Sequence, residues 1–410
     1  FIVENGYCNG LFGITVEGGK ADFGAVIKRS RGVADGMSKG IQFLFKKNKI
    51  DAIMGNGILK KDKKIEVTAA DGTKTTYEAD HIIIATGARS KELPGIAIDK
   101  KNIIGYREAM SLPTMPESMV VIGAGAIGVE FAYFYHTMGT KVTVVEFMEN
   151  GLVPREDAEI SKELNKIYKK KGMTILGNTA VEKVDISGTK KKVTVKDRKT
   201  GESQVIECDV VLSATGVTPN LENIGLEEVG ISIEKGFIKV DEFYNTSVKG
   251  YYAIGDVLPT QALAHLASAE GITCVEKIAG QHVQPIDYGN VPGCTYCSPE
   301  VASVGYTEVA AKEAGYELKI GKFPFAASGK AAAGGVKDGF VKLIFDAKYG
   351  ELLGAHFIGD NVTEMIAEIV VARKLETTRH EMIKSIHPHP TMSEAIMEAA
   401  AAAYGEVIHI

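Results

Sequence analysis

The sequence has no tryptophan, no long apolar run and no excess of basic residues. Its apolar runs fall well short of the roughly 18 residues that a membrane-spanning helix needs, so nothing predicts a transmembrane segment. The formal net charge is −5, which gives no electrostatic argument for nucleic-acid binding. A chain of 410 residues with 24% charged residues is instead typical of a globular enzyme with about two to four domains.

Cysteine is also scarce, and its scattered positions exclude the disulfide framework of a small secreted protein. The five cysteines are Cys8, Cys208, Cys274, Cys294 and Cys297. The last two have the C-x-x-C spacing of redox and zinc sites, but they follow a Pro-Gly pair in a stretch typical of strand and turn. Because no second ligand pair is present, we predict ordinary thiols in a reducing compartment and no metal site.

The most informative stretch is residues 120–146, VVIGAGAIGVEFAYFYHTMGTKVTVVE. A β-branched run leads into Gly123, Gly125 and Gly128 at G-x-G-x-x-G spacing, and a helical pattern and a second apolar strand follow. The first glycine permits a tight turn, the second allows close approach of a pyrophosphate, and the third allows close helix packing. This combination predicts a dinucleotide-binding β-α-β unit with the pyrophosphate at the helix N-terminus.

The second strand of this unit ends at Glu146, about 20 residues beyond the glycines, where a carboxylate can accept hydrogen bonds from ribose hydroxyls. The same carboxylate would repel a 2′-phosphate, and no basic residue follows until Arg155. The sequence therefore predicts NAD rather than NADP.

An internal repeat links two parts of the chain. Asp80 and Asp209 are each preceded by a hairpin pattern and followed, at the same offset, by Ala-Thr-Gly. We interpret this as the repeated end of one domain type. The glycine motif precedes Asp209 in the second copy, and the same offset counted back from Asp80 falls before Phe1. We therefore expect the chain to lack the start of its first copy.

Two further stretches suggest chemistry. Residues 253–256, Ala-Ile-Gly-Asp, place a carboxylate at a strand end. It could accept a hydrogen bond from a ribityl or ribose hydroxyl, or it could simply cap the next helix.

In residues 387–394, HPHPTMSE, prolines flank His389. Glu394 could accept a hydrogen bond from the His389 Nδ1–H and raise the basicity of that histidine. Ordinary surface histidines remain an alternative. A metal on His387 and His389 is disfavoured because no third ligand is evident.

Eight segments, which follow one another along nearly the whole chain, match the motifs of a known protein family. They are HIIIATGARS, VVIGAGAIGVEFA, VTVVE, SATGVTPN, YAIGDV, LAHLASAEG, PEVASVGYTE and HPHPTMSEA. The sequence resembles the flavin disulfide reductases, and within them the dihydrolipoamide dehydrogenases. The resemblance implies an α/β fold with two Rossmann-like dinucleotide-binding domains and a C-terminal α+β dimerisation domain. The implied domains are 1–117 (FAD-binding, start missing, with linker), 118–240 (NAD-binding), 241–285 (returning FAD-binding segment) and 286–410 (dimerisation).

The resemblance also implies roles for individual residues. Asp256 would bind the ribityl chain, Glu130 would lie beside the nicotinamide and flavin N5, and His389 would be the acid–base, oriented by Glu394. The implied FAD contacts are Gly57 (at a strand end), Thr86, Gly87, Ala88, Asp256, Ala262, Leu263, Ala264 and His265. The implied NAD contacts are Gly123, Ala124, Gly125, Ala126, Ile127, Gly128, Glu130, Glu146, Val181 and Gly216.

In this family the acid–base comes from the partner subunit, so the resemblance implies a homodimer. It also implies that the reaction oxidises the dihydrolipoyl domain of a 2-oxo-acid dehydrogenase complex. Electrons would pass through a redox disulfide and FAD to NAD⁺. A bacterial cytoplasm is the expected location, with the mitochondrial matrix as second choice.

The chain departs from the family pattern at two features, the first G-x-G-x-x-G and the redox C-x-x-x-x-C pair, neither of which occurs in it. We therefore expect this chain by itself to be inactive, or to hold FAD weakly. One alternative is a related NAD(P)H disulfide reductase. It is disfavoured because the stretch from Glu146 to Asn150 contains no basic residue that could bind a 2′-phosphate, and because the sequence does not end in a vicinal cysteine pair. The other is a non-catalytic NAD-binding or complex-tethering module.

Overall fold

The computed structural model describes residues 21–410. In chain order its α-helices are α1 (Phe23–Lys47), α2 (Tyr106–Ala109), α3 (Ala126–Met138), α4 (Ala158–Lys170), α5 (Leu226–Val229), α6 (Ala264–Ile278), α7 (Glu308–Glu313), α8 (Gly329–Gly334), α9 (Val362–Lys374), α10 (Arg379–Lys384) and α11 (Glu394–Ala402). None of the helices in this range is long and apolar enough to cross a membrane.

The strands, in chain order, are β1 (Asn56–Lys60), β2 (Lys64–Thr68), β3 (Lys74–Glu78), β4 (Ile82–Ile84), β5 (Ala88–Ser90), β6 (Ile103–Ile104), β7 (Ser118–Ile122), β8 (Lys141–Val145), β9 (Thr174–Leu176), β10 (Thr179–Asp185), β11 (Lys191–Asp197), β12 (Ser203–Cys208), β13 (Val210–Ser213), β14 (Val217–Pro219), β15 (Ile233–Glu234), β16 (Phe237–Ile238), β17 (Tyr251–Ala253), β18 (Gly293–Thr295), β19 (Glu300–Gly305), β20 (Leu318–Pro324), β21 (Phe340–Asp346) and β22 (Leu352–Gly359).

The described chain forms two compact units. Unit 1 contains residues 21–27, 92–216 and 288–410, and unit 2 contains residues 28–91 and 217–287. The predicted NAD-binding and dimerisation segments therefore both contribute to unit 1. The four-part division of the chain stays a prediction.

Unit 1 contains the predicted Rossmann-like sheet. Its five strands are parallel, in the order β6-β13-β7-β8-β9. The β-branched run Val120–Ile122 is almost fully buried, as expected for a parallel strand covered on both faces. Helix α3 connects β7 to β8 and ends at Gly139, which adopts the left-handed conformation. The predicted β-α-β unit is confirmed.

The second sheet of unit 1 is antiparallel, in the order β18-β19-β22-β21-β20. It confirms the predicted α+β architecture. Its strand β20 ends at Pro324, and Phe325–Ala327 form a 3₁₀ turn. The strand signal is weak because Gly321 interrupts it. A Cβ on Gly321 would lie 1.8 Å from the carbonyl oxygen of Ala399, so the close approach of α11 requires glycine.

Unit 2 repeats part of the pattern of unit 1. An antiparallel sheet, β1-β2-β3, precedes the buried strand β4, just as β10-β11-β12 precede β13. Strand β4 pairs in parallel with β17, and β5 pairs with β14. The hairpin predicted before Asp80 is present as β2 and β3, and Gly72 in its turn has φ +85°. The internal repeat is therefore visible in the order of the elements.

A buried lysine joins strand β21 to the N-terminal ends of helices α4 and α7. The side chain of Lys342 on β21 is 1% exposed, and its Nζ lies 2.9 Å from Asp157 Oδ1, 2.9 Å from Glu159 Oε1 and 2.8 Å from Glu308 Oε2. Asp157 also caps α4 by accepting the Glu159 N–H. Burial alone would lower the pKa of Lys342, but the three carboxylates raise it overall. The ammonium therefore neutralises carboxylates from α4 and α7 at one point.

Replacing Lys342 by Met should reduce the free energy of unfolding by about 3–5 kcal/mol, because the buried Asp157 carboxylate loses its cation. The matched control is Lys322→Met, which removes a 42% exposed partner of the same Glu159. That change should cost at most about 1 kcal/mol. Chemical denaturation of both variants measures the difference, and equal losses would show that the buried cluster contributes nothing beyond a surface pair.

Candidate active site

The turn between β7 and α3 leaves no room for side chains at two glycines. Gly123 has φ +95°, and a Cβ there would lie 2.5 Å from the carbonyl oxygen of Ala214. A Cβ on Gly128 would lie 2.0 Å from the carbonyl oxygen of Gly123. A Cβ on Gly125, by contrast, would meet nothing within 4 Å. Gly123 and Gly128 thus allow close packing, while Gly125 faces open space before the helix.

The N-terminus of α3 is suited to an anion. Gly125 is its N-cap, with no side-chain cap, and the first turn contains no acidic residue. The leading amides therefore retain their capacity to donate, and the helix dipole favours negative charge. Ala126 and Ile127 open this helix and Ala124 is buried just before it. These observations fit a pyrophosphate.

Glu146, the acid predicted to bind ribose, is 7% exposed and lies directly after β8. Its Oε2 accepts the Ala124 N–H at 2.7 Å, and its Oε1 accepts the Met148 N–H at 2.8 Å. The carboxylate therefore also holds the glycine turn in place, a role that the sequence alone did not suggest. Each oxygen keeps a further lone pair that a ribose hydroxyl could use.

The remaining predicted NAD residues of unit 1 lie near the same sheet edge. Val181 on β10 packs in one cluster with Val145, and the neighbouring Thr179 N–H donates to the Glu146 carbonyl. Gly216, at φ +111°, follows the end of β13. The carboxyl ends of β7, β8 and β13 meet at this edge, where ligands bind in open α/β sheets.

Glu130 on α3 is held by a residue that sequence reasoning missed. Its Oε1 accepts the backbone N–H of Tyr296 at 2.9 Å, although 166 positions separate the two residues. Burial raises the pKa of Glu130, and the Tyr296 N–H partly opposes this rise. No local pattern could reveal the contact, because a backbone donor has no signature in the sequence.

Tyr296 lies within the C-x-x-C segment, which the structure shows as strand and turn, as predicted. Burial raises the pKa of Cys294 to about 11 and that of Cys297 to about 12. The Cys297 thiol donates to the Pro299 carbonyl at 3.1 Å. Both groups are therefore protonated and unreactive at neutral pH. Residues 21–410 contain no group of three or more potential metal ligands.

In unit 2, the first Ala-Thr-Gly turn is hydrogen-bonded to Asn220, which follows the second Ala-Thr-Gly segment in the sequence. The Thr86 hydroxyl donates to the Asn220 carbonyl at 2.7 Å, and the Asn220 amide returns a hydrogen bond to the Thr86 carbonyl at 3.0 Å. Gly87 has φ +66°, and Ala88 begins β5. Gly57 is the second residue of β1, opposite Val67, so it lies close to the beginning of that strand.

Asp256 lies in the 3₁₀ turn Gly255–Val257 after β17, and its carboxylate has no hydrogen-bond partner in the described part of the chain. It does not cap the next helix, because the N-cap of α6 is Leu263. Ala262 precedes that cap, and Ala264 and His265 open the helix. The carboxylate thus fits a ligand hydroxyl better than a capping role.

The turn that carries Asp256 is fixed by Glu270, a second residue that sequence reasoning missed. Glu270 on α6 is fully buried. Its Oε2 accepts the Gly255 N–H at 2.6 Å, and its Oε1 accepts the Thr260 hydroxyl at 3.2 Å. The sequence carried one signal for this role, an acid inside the largely apolar segment LAHLASAEG, because a carboxylate that becomes buried requires hydrogen-bond partners.

The histidine segment has the predicted hydrogen bond. His389 Nδ1 lies 2.9 Å from Glu394 Oε1, and Glu394 Oε2 accepts the Thr391 N–H at 2.8 Å. The His389 side chain is 79% exposed. Partial burial alone would raise the pKa of Glu394, but the hydrogen bonds from Thr391 and His389 lower it overall. An ionised carboxylate thus orients an accessible imidazole.

Comparisons with known proteins agree with this geometry. Residues 12–271 match the pyridine nucleotide-disulphide oxidoreductase family, and residues 291–400 match its dimerisation domain. A dihydrolipoyl dehydrogenase of Rhizobium etli is 47% identical over 414 residues, covering 97% of this chain and 86% of that protein. The mitochondrial dihydrolipoyl dehydrogenase of Pisum sativum is 42% identical over 399 residues, covering 97% and 79%.

Among solved structures, LpdA from Mycobacterium tuberculosis matches with a TM-score of 0.87 and 28% identity, over 95% of this chain and 84% of that one. The fold and the sequence thus lead to the same group of flavoproteins, whose members use FAD and NAD. The chain belongs to the pyridine nucleotide-disulphide oxidoreductase family.

Proposed function

We propose that this protein oxidises the dihydrolipoyl groups of a 2-oxo-acid dehydrogenase complex, with NAD⁺ as the final acceptor. Relatives that carry the name dihydrolipoyl dehydrogenase support this reaction, since they align over almost the whole chain. FAD and NAD, when bound, supply the electron-transfer chemistry.

The His389–Glu394 hydrogen bond carries the proposal. Because Nδ1–H donates to the carboxylate, the neutral ring presents its lone pair on Nε2. That nitrogen can take the proton of an incoming thiol, and the thiolate is the form that attacks a disulfide. Glu394 fixes the tautomer and stabilises the imidazolium that forms. The high exposure of His389 leaves the ring accessible to a bulky, protein-bound substrate.

The residues of the glycine turn would hold NAD. The N-terminus of α3 would bind the pyrophosphate, and Glu146 would accept from the adenosine ribose. In unit 2, Asp256 and the Thr86–Ala88 turn would hold FAD, with Glu270 positioning Asp256. The sequence contains no C-x-x-x-x-C pair, and Cys294 and Cys297 are protonated, so we assign neither of them to disulfide exchange.

The proposed assembly is a homodimer, which the dimerisation domain at residues 291–400 supports. His389 would act on the partner subunit's flavin site, and the lipoyl domain of the complex would be the macromolecular substrate. Relatives in bacteria and in a plant mitochondrion fit the proposed bacterial cytoplasm, with the mitochondrial matrix second.

Replacing Glu146 by Ala should raise the KM for NAD⁺ and reduce the preference for NAD⁺ over NADP⁺, because the ribose acceptor and the repulsion of a 2′-phosphate are both lost. Steady-state kinetics with the two nucleotides measure the change. The control is Glu149→Ala, an exposed acid three residues further along the chain. Unchanged selectivity in the Glu146 variant would mean that the ribose is recognised elsewhere.

In the FAD-loaded holoenzyme that contains the redox disulfide, replacing His389 by Gln should slow dihydrolipoamide oxidation by about 10²–10⁴-fold, since general acid–base catalysis contributes that much. The visible absorbance spectrum of bound FAD should stay unchanged, because His389 lies outside the proposed flavin contacts of its own chain. His380→Gln, an exposed histidine in α10, serves as the control. Near-normal turnover in the His389 variant would refute the assignment of His389 as the base, on which the proposed function depends.

A further inference from the structure

A second histidine pair lies beside His389. His387 is two residues earlier in the chain, and its side chain is only 8% exposed. Its Nε2 lies 2.8 Å from Glu368 Oε1 on α9, and its Nδ1 lies 3.2 Å from the Ser385 carbonyl. The proposed reaction leaves this pair without a role.

Both ring nitrogens of His387 face acceptors. A carboxylate and a backbone carbonyl can only accept, so each nitrogen must carry a proton to make its hydrogen bond. The ring is therefore an imidazolium hydrogen-bonded to the Glu368 side chain. The pKa of His387 is raised chiefly by the Glu368 hydrogen bond, and burial opposes the rise. The negative charge of Glu394 also favours the cation.

The pair is connected to the acid–base through a short, stiff segment. Only Pro388 separates the two histidines, and its ring restricts rotation about the backbone. On one side of the segment, His387 is bound to α9 through Glu368. On the other side, His389 is bound to α11 through Glu394. Movement of the first imidazole would thus be transmitted to the second.

We propose that His387 and Glu368 form a positioning pair that holds His389 in register with Glu394. The pair acts through His389 and not on the substrate, and its catalytic consequence rests on the proposed function. Charged and titratable groups near His387 come from α9 (Glu368), from α11 (Glu394) and from its own loop (His389). Of these, only Glu368 bonds directly to the His387 ring.

The sign of the pH dependence follows from the raised pKa. The pair contributes fully while His387 is charged, and its contribution is lost as the pH rises through the folded-state pKa. Glu368→Gln keeps the size of the side chain but removes its charge. His387 should then lose its proton at a lower pH. The contribution of the pair should therefore also be lost at a lower pH than in the wild type.

The first measurement is a histidine ¹⁵N NMR titration of this chain, which needs no enzymatic activity. In the wild type, His387 should carry protons on both nitrogens at neutral pH, and Glu368→Gln should shift its titration to lower pH. The matched control is Glu364→Gln, an exposed acid one turn earlier on α9, which should shift nothing. Equal titration curves in all three proteins would overturn the proposed pair, whatever reaction the enzyme catalyses.

The second measurement is steady-state kinetics of the FAD-loaded enzyme. Glu368→Gln should lower kcat for dihydrolipoamide by about tenfold to a hundredfold, since a misplaced catalytic group costs that much. The KM for NAD⁺ should not change, and the alkaline limb of the pH profile should move to lower pH. A normal kcat and profile, together with an altered NMR titration, would show a structural pair without a positioning role. Absence of dihydrolipoamide oxidation in a wild-type holoenzyme that contains FAD and the redox disulfide would instead contradict the proposed function.

Discussion

The close packing of β7 against α3 is the constraint on which the rest of the nucleotide site depends. A Cβ at Gly128 would lie 2.0 Å from a backbone oxygen, so the helix can approach the strand only if that residue is glycine. This approach directs the leading amides of α3 toward open space at Gly125. It also places the Ala124 N–H where Glu146 can accept it. One steric requirement thereby determines the position of both the anion site and the ribose acid.

Buried charges make a comparable contribution to unit 1. Lys342 brings carboxylates from α4 and α7 to one point on β21, and the low exposure of the cluster makes each partner depend on the others. The Glu130–Tyr296 hydrogen bond joins the same two parts of the unit at another place. The geometry of the proposed NAD site is therefore maintained partly by residues of the dimerisation domain.

Carboxylates recur as organisers of the proposed active site. Glu394 orients His389, Glu368 holds His387, and Glu270 fixes the turn that carries Asp256. In each case a helix supplies the acid and a loop supplies the group to be positioned. Because the helices pack into the core, they give the loop residues a fixed reference. The chemistry is thus divided between loop groups that react or bind and helix-borne carboxylates that hold them.

The sequence alone determined much of the local structure, because turns, strands and short-range hydrogen bonds depend on residues that are close together in the chain. Glycine spacing predicted the turn before α3, the sequence pattern predicted the hairpins before β4 and β13, and the spacing of His389 and Glu394 predicted their hydrogen bond. The tertiary structure decided what depends on distant partners. It gave Glu146 a second role at the glycine turn, and it brought Tyr296 to Glu130 and Glu368 to His387. Such contacts join backbone groups or side chains from separate elements, and their geometry exists only once the sheets and helices have packed.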